Sequence, residues 1–427
     1  MPAARTAVIW RSHLLMASET FIRNQGNALR RWQPVFLGAT KVESFVAADT
    51  DVIAYPDSRQ GRRGFLLLKL TGESRRLRSL LTRLRPAVVH AHFGGDGWLI
   101  SGSAVRCGIP LVITLHGYDV TRLPDVSGPR GVRHRRNLRT AFARATLIIA
   151  VSEFIRRKAI ELGADPAKVV VHHTGVPIPP TPEAAPKQWD VVFVGRFVEK
   201  KGTDDLVEAL ALLPELRPRA LFIGTGPLEE AVRRRAAELG VDATFLGGQE
   251  PAVVARRMAG SRILAAPSKT ASDGDSEGLP TTILEAASLG VPTVSTHHSG
   301  IPEAVLHGET GLLCAEGDRS ALAENIRQLL TDEARCARLG QAARGHVAAH
   351  FDLDRQTRLL EELYDTAADH GLPPPRIAAP QPARRAADHA GPLSWAGAAA
   401  VARPGRFGAP PSSRRPAPFR SAPAPSR

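Results

Sequence analysis

At 427 residues the chain is too long for a single hydrophobic core, which stops growing near about 250–300 residues, so two domains and a tail are expected. An apolar fraction of 43% with 23% charged residues excludes a fibrous or wholly disordered chain, and three scattered cysteines (Cys107, Cys314, Cys336) exclude a disulfide framework or a cysteine-held zinc site. The net charge of +14 asks for an anionic partner, but nine arginines against one acid, Asp388, put +8 of it after residue 370. Aromatic residues are not interleaved with the cations, so single strands have little to stack on and no specific nucleic acid is expected as a partner.

The first domain is expected over residues 1–176 as alternating strands and helices. Thr6–Trp10 opens it, and Pro34–Leu37 and Val52–Tyr55 are weaker strands. Pro86–Ala91, Leu111–Leu115 and Leu147–Val151 are β-branched runs between turn residues, as buried parallel strands read. Ser152 then caps a helix that stops at Gly163, and Val169–His172 is the last strand. From Arg62 to Arg85 eight basic residues face one acid, Glu73, and Leu66, Leu70, Leu77, Leu81 and Leu84 recur at helical spacing. A basic amphipathic helix of this kind can lie on an anionic membrane, although Gly64 and Gly72 interrupt it and the leucines also suit packing on a sheet.

Residues 177–188 form a proline-rich linker. The second domain, 189–350, repeats the rhythm with strands at Asp190–Val194, Ala220–Ile223, Ala243–Leu246, Ile263–Pro267 and Pro292–Ser295. Helices are expected at Thr203–Leu213, Leu228–Leu239 and Thr281–Leu289. A C-terminal amphipathic helix occupies 351–368, and the Ala/Pro/Arg-rich tail of 369–427 has too few large apolar residues to order itself. Met1–Ile9 has no secretory hydrophobic run, and no stretch reaches the roughly 18–20 apolar residues that span a bilayer. The expected location is the cytoplasm, with contact at the inner face of the plasma membrane as the one membrane option.

Three constellations carry chemistry. In Ser276–Glu285 two carboxylates, Glu277 and Glu285, stand either side of a helix start at Thr281 and Thr282, preceded by Gly278 and Leu279. Free N–H groups and the positive dipole end of a helix attract phosphate oxygens, so one acid can face a sugar and the other a ribose. The same spacing also fits a surface acid and an ordinary helix acid. In Val194–Gly202 a strand ends at a glycine and is followed by Arg196 and Lys201, which can grip a diphosphate, with Lys200 expected in solvent. Gly224 and Gly226 form a turn between a strand and a helix. In the first domain, His116 follows the Leu111–Leu115 strand, where an open α/β sheet points residues into its crevice. His90 and His92 make a weak metal pair, with no third ligand nearby.

The segment from Ala271 to Leu313, with the paired glutamates, VPTVST and GIPE, resembles the donor site of glycosyltransferase family 4, in the branch that builds bacterial exopolysaccharides of the colanic-acid or amylovoran type. The resemblance runs from about Ala7 to Ala367 and implies a GT-B fold: two Rossmann-like domains with a cleft between them. It also implies a retaining transferase using a nucleotide-diphosphate sugar, no cofactor, no metal ion, and a saccharide or lipid-linked saccharide as acceptor. It assigns His116 and Glu277 to the sugar, and Arg196, Lys201, Gly224, Gly226, Gly278, Leu279, Thr281, Thr282 and Glu285 to the nucleotide and phosphates. Ser18–Ile22 resembles the branch's SETFI element. Pro280 departs from the family's glycine and removes one N–H. The alternatives are a GT-B epimerase or hydrolase of nucleotide sugars and, more distantly, a basic nucleic-acid-binding protein.

Overall fold

In the computed structural model, which describes residues 5–180 and 186–370, the β-branched runs assemble into two separate parallel sheets. The first comprises β1 (Arg5–Leu14), β2 (Trp32–Lys41), β3 (Val52–Ile53), β4 (Val88–His92), β5 (Leu111–Leu115), β6 (Leu147–Ala150) and β7 (Val169–Val171), in the order β3-β2-β1-β4-β5-β6-β7. The second comprises β8 (Trp189–Val194), β9 (Ala220–Ile223), β10 (Ala243–Phe245), β11 (Ser261–Ala266), β12 (Thr293–Thr296) and β13 (Gly311–Cys314), in the order β10-β9-β8-β11-β12-β13. The strand order reverses beside β1 in one sheet and beside β8 in the other. Loops leaving such a point diverge to opposite faces and open a crevice at the carboxyl ends of the strands.

β1 continues past Trp10 to Leu14 because its polar residues find partners inside: the Arg11 guanidinium and the Ser12 N–H both bond Asp96. The helix Gly94–Arg106 was not expected, since four glycines and two serines in thirteen residues are poor helix formers. Burial of nine of its residues overrides propensity. The Arg62–Arg85 reading needs correction. The segment forms two helices, Arg59–Thr71 and Arg75–Leu84, broken at Gly72 in the left-handed region (φ 71°), with Ser74 capping the second at 3.1 Å from the Leu77 N–H. Leu77 and Leu81 are buried in the core, whereas Leu66 and Leu70 are 57% and 58% exposed.

The chain crosses between the two sheets twice, and the crossings are bonded to each other: Val176 N–H donates to the Phe351 carbonyl (2.9 Å) and Leu353 N–H to that of Val176 (3.0 Å). The anticipated C-terminal helix spans Leu353–His370 and returns to the first domain. There Leu360, Leu363, Tyr364 and Ala367 cover Ala7, Val88, Val112 and Leu147. Glu361 accepts from the N–H groups of Arg30 and Arg31, and Tyr364 Oη lies 2.6 Å from His90 Nδ1. The expected disordered tail falls, after His370, outside the described residues, as does the middle of the linker at 181–185.

Tyr364→Ala should cost about 3–5 kcal/mol, as deletion of a buried aromatic does, and Tyr364→Phe about 1 kcal/mol for the lost hydrogen bond. Urea unfolding measures both. Near-wild-type stability of the alanine variant would show that the helix does not seal the first sheet.

Candidate active site

The Thr281–Ser288 helix begins where the chain returns from β11. Pro280 occupies the cap position, and its carbonyl accepts from Ile283 N–H at 3.2 Å. The N–H groups of Thr281 and Thr282, like those of any first turn, find no acceptor among the described residues. Glu277 is buried in the loop just before it. Its N–H donates to His298 Nε2 (3.1 Å), which places the ring proton on Nδ1, 2.6 Å from Glu316 Oε1. Its carbonyl accepts from the Ser299 hydroxyl.

The Glu277 side chain meets cations. Lys201 Nζ lies 3.1 Å from Oε1 and Lys200 Nζ 4.0 Å. Lys201 is thus the direct partner of Oε1, with Lys200 a second cation further off. Burial pushes this carboxyl up, but Lys201 and Lys200 outweigh burial and hold it at about 2. Glu285, half-buried, moves the other way: burial raises it, and Thr281 and Lys201 offset only part. The two acids of one motif thus differ in character. Glu277 is a fixed anion and a weak base, and Glu285 is a carboxyl that holds its proton more readily.

Arg196 and Lys201 leave the end of β8, with Lys201 in the turn Glu199–Lys201. Arg196 is exposed and has no ion-pair partner among the described residues. Lys200 is not in solvent as expected. It is half-buried and bonds Asp275 Oδ1 (3.0 Å) and the Ser276 carbonyl (3.3 Å), because the β8 loop folds over the 271–276 loop. Gly224 (φ 136°) and Gly226 lie against the backbone of Gly195 and Phe197, where a side chain would collide, and Phe197 N–H donates to the Thr225 carbonyl at 3.0 Å. Both glycines therefore have a packing role at the mouth of β8 and β9.

His116 approaches from the first domain. A side chain on Gly278 would strike the His116 carbonyl, and one on Gly117 would strike Gly278 N, so the two loops meet backbone to backbone. Ser152 Oγ donates to the Gly278 carbonyl (3.1 Å) and Ser276 N–H to Thr121 Oγ1 (3.2 Å). Glu303 reaches across to the Glu153 N–H (2.8 Å) and to His173 (2.9 Å). The structure thus brings His116, Gly278, Glu277 and Lys201 together at the floor of the cleft. Thr281, Thr282, Glu285 and Arg196 lie beside them, and Leu279 is buried in the core.

His116 Nε2 is 3.1 Å from His92 Nδ1, and its ring makes tilted contacts with Phe21 and Phe93, at 5.0 and 4.6 Å. Burial lowers its basicity, with Arg11 and His90 adding to the effect, to about 3, so the ring is neutral. His90 spends both nitrogens on Tyr364 and Thr114 (2.7 Å), which leaves it none for a metal ion. The sequence reading missed Arg11, Glu19, Asp96, His298 and Glu316. Their only signal is a polar residue at or just past the end of an apolar strand or at a helix start.

Two Rossmann-like sheets whose carboxyl ends meet at a carboxylate, a lysine and a free helix start define a GT-B enzyme fold. Residues 18–178 match the model of Glycosyltransferase Family 4, and residues 178–346 that of Glycosyl transferases group 1. The chain belongs to glycosyltransferase family 4. It is 31% identical over 269 residues to the amylovoran biosynthesis glycosyltransferase AmsK of Erwinia amylovora, covering 60% of this chain but 64% of that protein. It is also 31% identical over 290 residues to a Corynebacterium glutamicum GDP-mannose-dependent monoacylated alpha-(1-6)-phosphatidylinositol monomannoside mannosyltransferase, covering 62% of this chain and 73% of that one. Among solved structures, Anabaena HepE in complex with UDP shares the fold with a TM-score of 0.68 at 19% identity, over 85% of this chain and 100% of that one.

Glu277 sits below its usual 4.5 in the folded state, so its pairing stabilises the fold above that value and is lost as pH falls toward about 2. In urea unfolding, Glu277→Gln should therefore be less stable than wild type at neutral pH, and the gap should close below about pH 4. A gap that does not change with pH would show that Glu277 is not the paired anion.

Proposed function

We propose that this chain transfers a sugar, with retention at the anomeric carbon, from a nucleotide-diphosphate sugar to a hydroxyl of a saccharide or lipid-linked saccharide in bacterial polysaccharide assembly. The observation that carries the reading is the buried, ionised Glu277, paired with Lys201 and set beside two free helix N–H groups and a second cation, Lys200. A sugar hydroxyl can donate to the same carboxylate. A diphosphate fits the N–H groups of Thr281 and Thr282, with Arg196 closing over it and Lys201 between phosphate and carboxylate. Ribose hydroxyls suit Glu285, whose carboxyl accepts their hydrogen bonds beside the helix start.

Held at about 2, Glu277 is too weak a base to take the acceptor's proton and serves instead to orient the sugar and to face positive charge at the anomeric carbon. His116, neutral, offers one hydrogen bond to the sugar from the opposite domain. The growing charge on the leaving diphosphate falls on Arg196, Lys201 and the helix start, so the reading calls for no metal ion and no cofactor. Retention comes from the family rather than from a distance. The named relatives act in exopolysaccharide and glycolipid synthesis, and solved neighbours hold UDP or UDP-glucose, which supports a nucleotide-sugar donor and leaves its base to experiment.

The same reading places the protein in the cytoplasm, working at the inner leaflet. No helix among the described residues is long and apolar enough to cross a membrane. The first domain carries a face on which Leu66, Leu67, Leu70 and Val132 are exposed. Arg133 ties the helix Gly128–Arg144 to this face through the Lys69 carbonyl, and a cavity of about 920 Å³ beside it is lined by Arg75, Arg76 and Arg78. Leucines that enter an interface and arginines that bind lipid phosphates suit an anionic surface, each cation adding about 1 kcal/mol.

Arg196→Ala and Lys201→Ala should each cost about 2–4 kcal/mol in transition-state stabilisation. Glu285→Ala should mainly weaken binding of the nucleoside diphosphate, and Glu277→Gln should mainly lower turnover. Activity should persist in excess EDTA. Near-wild-type kinetics for both glutamate variants would overturn the assignment.

Co-sedimentation with anionic vesicles should fall when Leu66 and Leu70 become serine, and again when Arg75 and Arg76 do, in protein ending at residue 373 as in the full chain. Undiminished binding by these variants would move the membrane contact elsewhere.

A further inference from the structure

Beneath His116 lies a cluster of charges that the transfer reaction, as described, does not use. Arg11, at the end of β1, is 6% exposed and sits between two buried carboxylates, Glu19 (3%) and Asp96 (7%). Its Nε is 3.3 Å from Glu19 Oε2, Nη2 bonds the other Glu19 oxygen, and Nη1 bonds Asp96 Oδ2. Each carboxylate is engaged further. Glu19 accepts from the Met16 N–H (3.2 Å), and Asp96 Oδ2 from the Ser12 N–H (2.6 Å). Three charges taken from water are costly, and apolar residues of the same volume often serve stability as well or better. Stability alone is therefore a weak reason for the cluster.

Its geometry gives a better one. The Arg11 guanidinium lies over the Phe93 ring, 4.3 Å from its centroid, and that ring in turn contacts His116 at 4.6 Å. Phe93 has φ 72°, a left-handed backbone that a bulky side chain rarely adopts, so the ring is held in place against a local preference. Glu19 stands immediately before the helix Thr20–Asn27, whose Phe21 ring lies 5.0 Å from that of His116. One guanidinium thus fixes both aromatic walls, Phe93 by stacking and Phe21 through Glu19.

We propose that Arg11 is a positioning residue: through Glu19 and Phe93 it clamps the cluster of Phe21, His116 and Phe93 rings so that the His116 ring presents its free nitrogen to the donor sugar. The inference rests on the glycosyl-donor reading of this cleft. A charge effect accompanies the mechanical one. The groups facing His116 are Arg11, Glu19 and Asp96 behind Phe93, His92 and His90 on β4, Asp119 at its own N–H, and the Gly278 loop across the cleft. Of these, Arg11 and His90 add to the burial that keeps the His116 ring neutral.

The test is calorimetric, on full-length protein, with UDP-glucose and GDP-mannose set against UDP and GDP. Whichever sugar binds wild type more tightly than its diphosphate is the probe. Arg11→Gln and Phe93→Leu should each lower that sugar-over-diphosphate preference by about tenfold, the worth of one well-placed hydrogen bond, with affinity for the bare diphosphate unchanged. The wild-type preference should be flat between about pH 5 and pH 8, since burial keeps the His116 ring neutral there. Arg11→Gln leaves two buried carboxylates without a counter-ion and can fail to fold. Phe93→Leu keeps the ion cluster whole and decides the matter alone. An unchanged preference in folded Phe93→Leu overturns the inference while leaving the donor reading intact. Wild type that prefers neither sugar to its diphosphate overturns both.

Discussion

The cleft depends on the ion pair between Lys201 and Glu277. Lys201 comes from the loop after β8 and Glu277 from the loop after β11, neighbouring strands at the reversal point of the second sheet. Their attraction works in a buried setting, where a carboxylate without a cation would be neutral or would open the loop to water. Once fixed, Glu277 carries Gly278 with it, and Gly278 is the point at which the first domain touches down. His298, held by Glu316, supports the same peptide from beneath. An anion, a phosphate-ready helix start and an interdomain contact thus share one turn of eight residues or fewer.

The first domain builds its half by different means. Its site consists of rings, not charges: His116 stacked on His92 and in tilted contact with Phe21 and Phe93, with the charges set one layer deeper. The C-terminal helix completes that layer from behind, since Tyr364 bonds His90 and Glu361 satisfies the turn before β2. A segment encoded after the second domain therefore stabilises the first sheet. The two chain crossings near Val176 and Asp352 lie side by side, so both covalent links between the domains share one edge.

Much of this was legible. Leu111–Leu115 and Ala220–Ile223 are strands to the residue because they are buried on both faces and have no polar interruption. The Ser152 cap and the Thr281 helix start are local signals with local causes, and the structure keeps them. What stayed hidden depends on contacts far apart in sequence. Lys200 looks like a solvated charge until Asp275, 75 positions on, folds against it. Arg11 reads as the end of a strand until Glu19 and Asp96 close around it. The helix Gly94–Arg106 defies its own composition because burial supplies what propensity lacks. The leucines from Leu66 to Leu84 share a helical period across Gly72, a break that periodicity alone does not weigh.

The most direct test of the account is a crystal structure with the nucleotide sugar that binds. The account requires the diphosphate on the N–H groups of Thr281 and Thr282 with Arg196 and Lys201 around it, the ribose at Glu285, and a sugar hydroxyl on Glu277 Oε1. A diphosphate anchored elsewhere, for instance among Arg75, Arg76 and Arg78, with Glu277 still bound only to lysine, would contradict it.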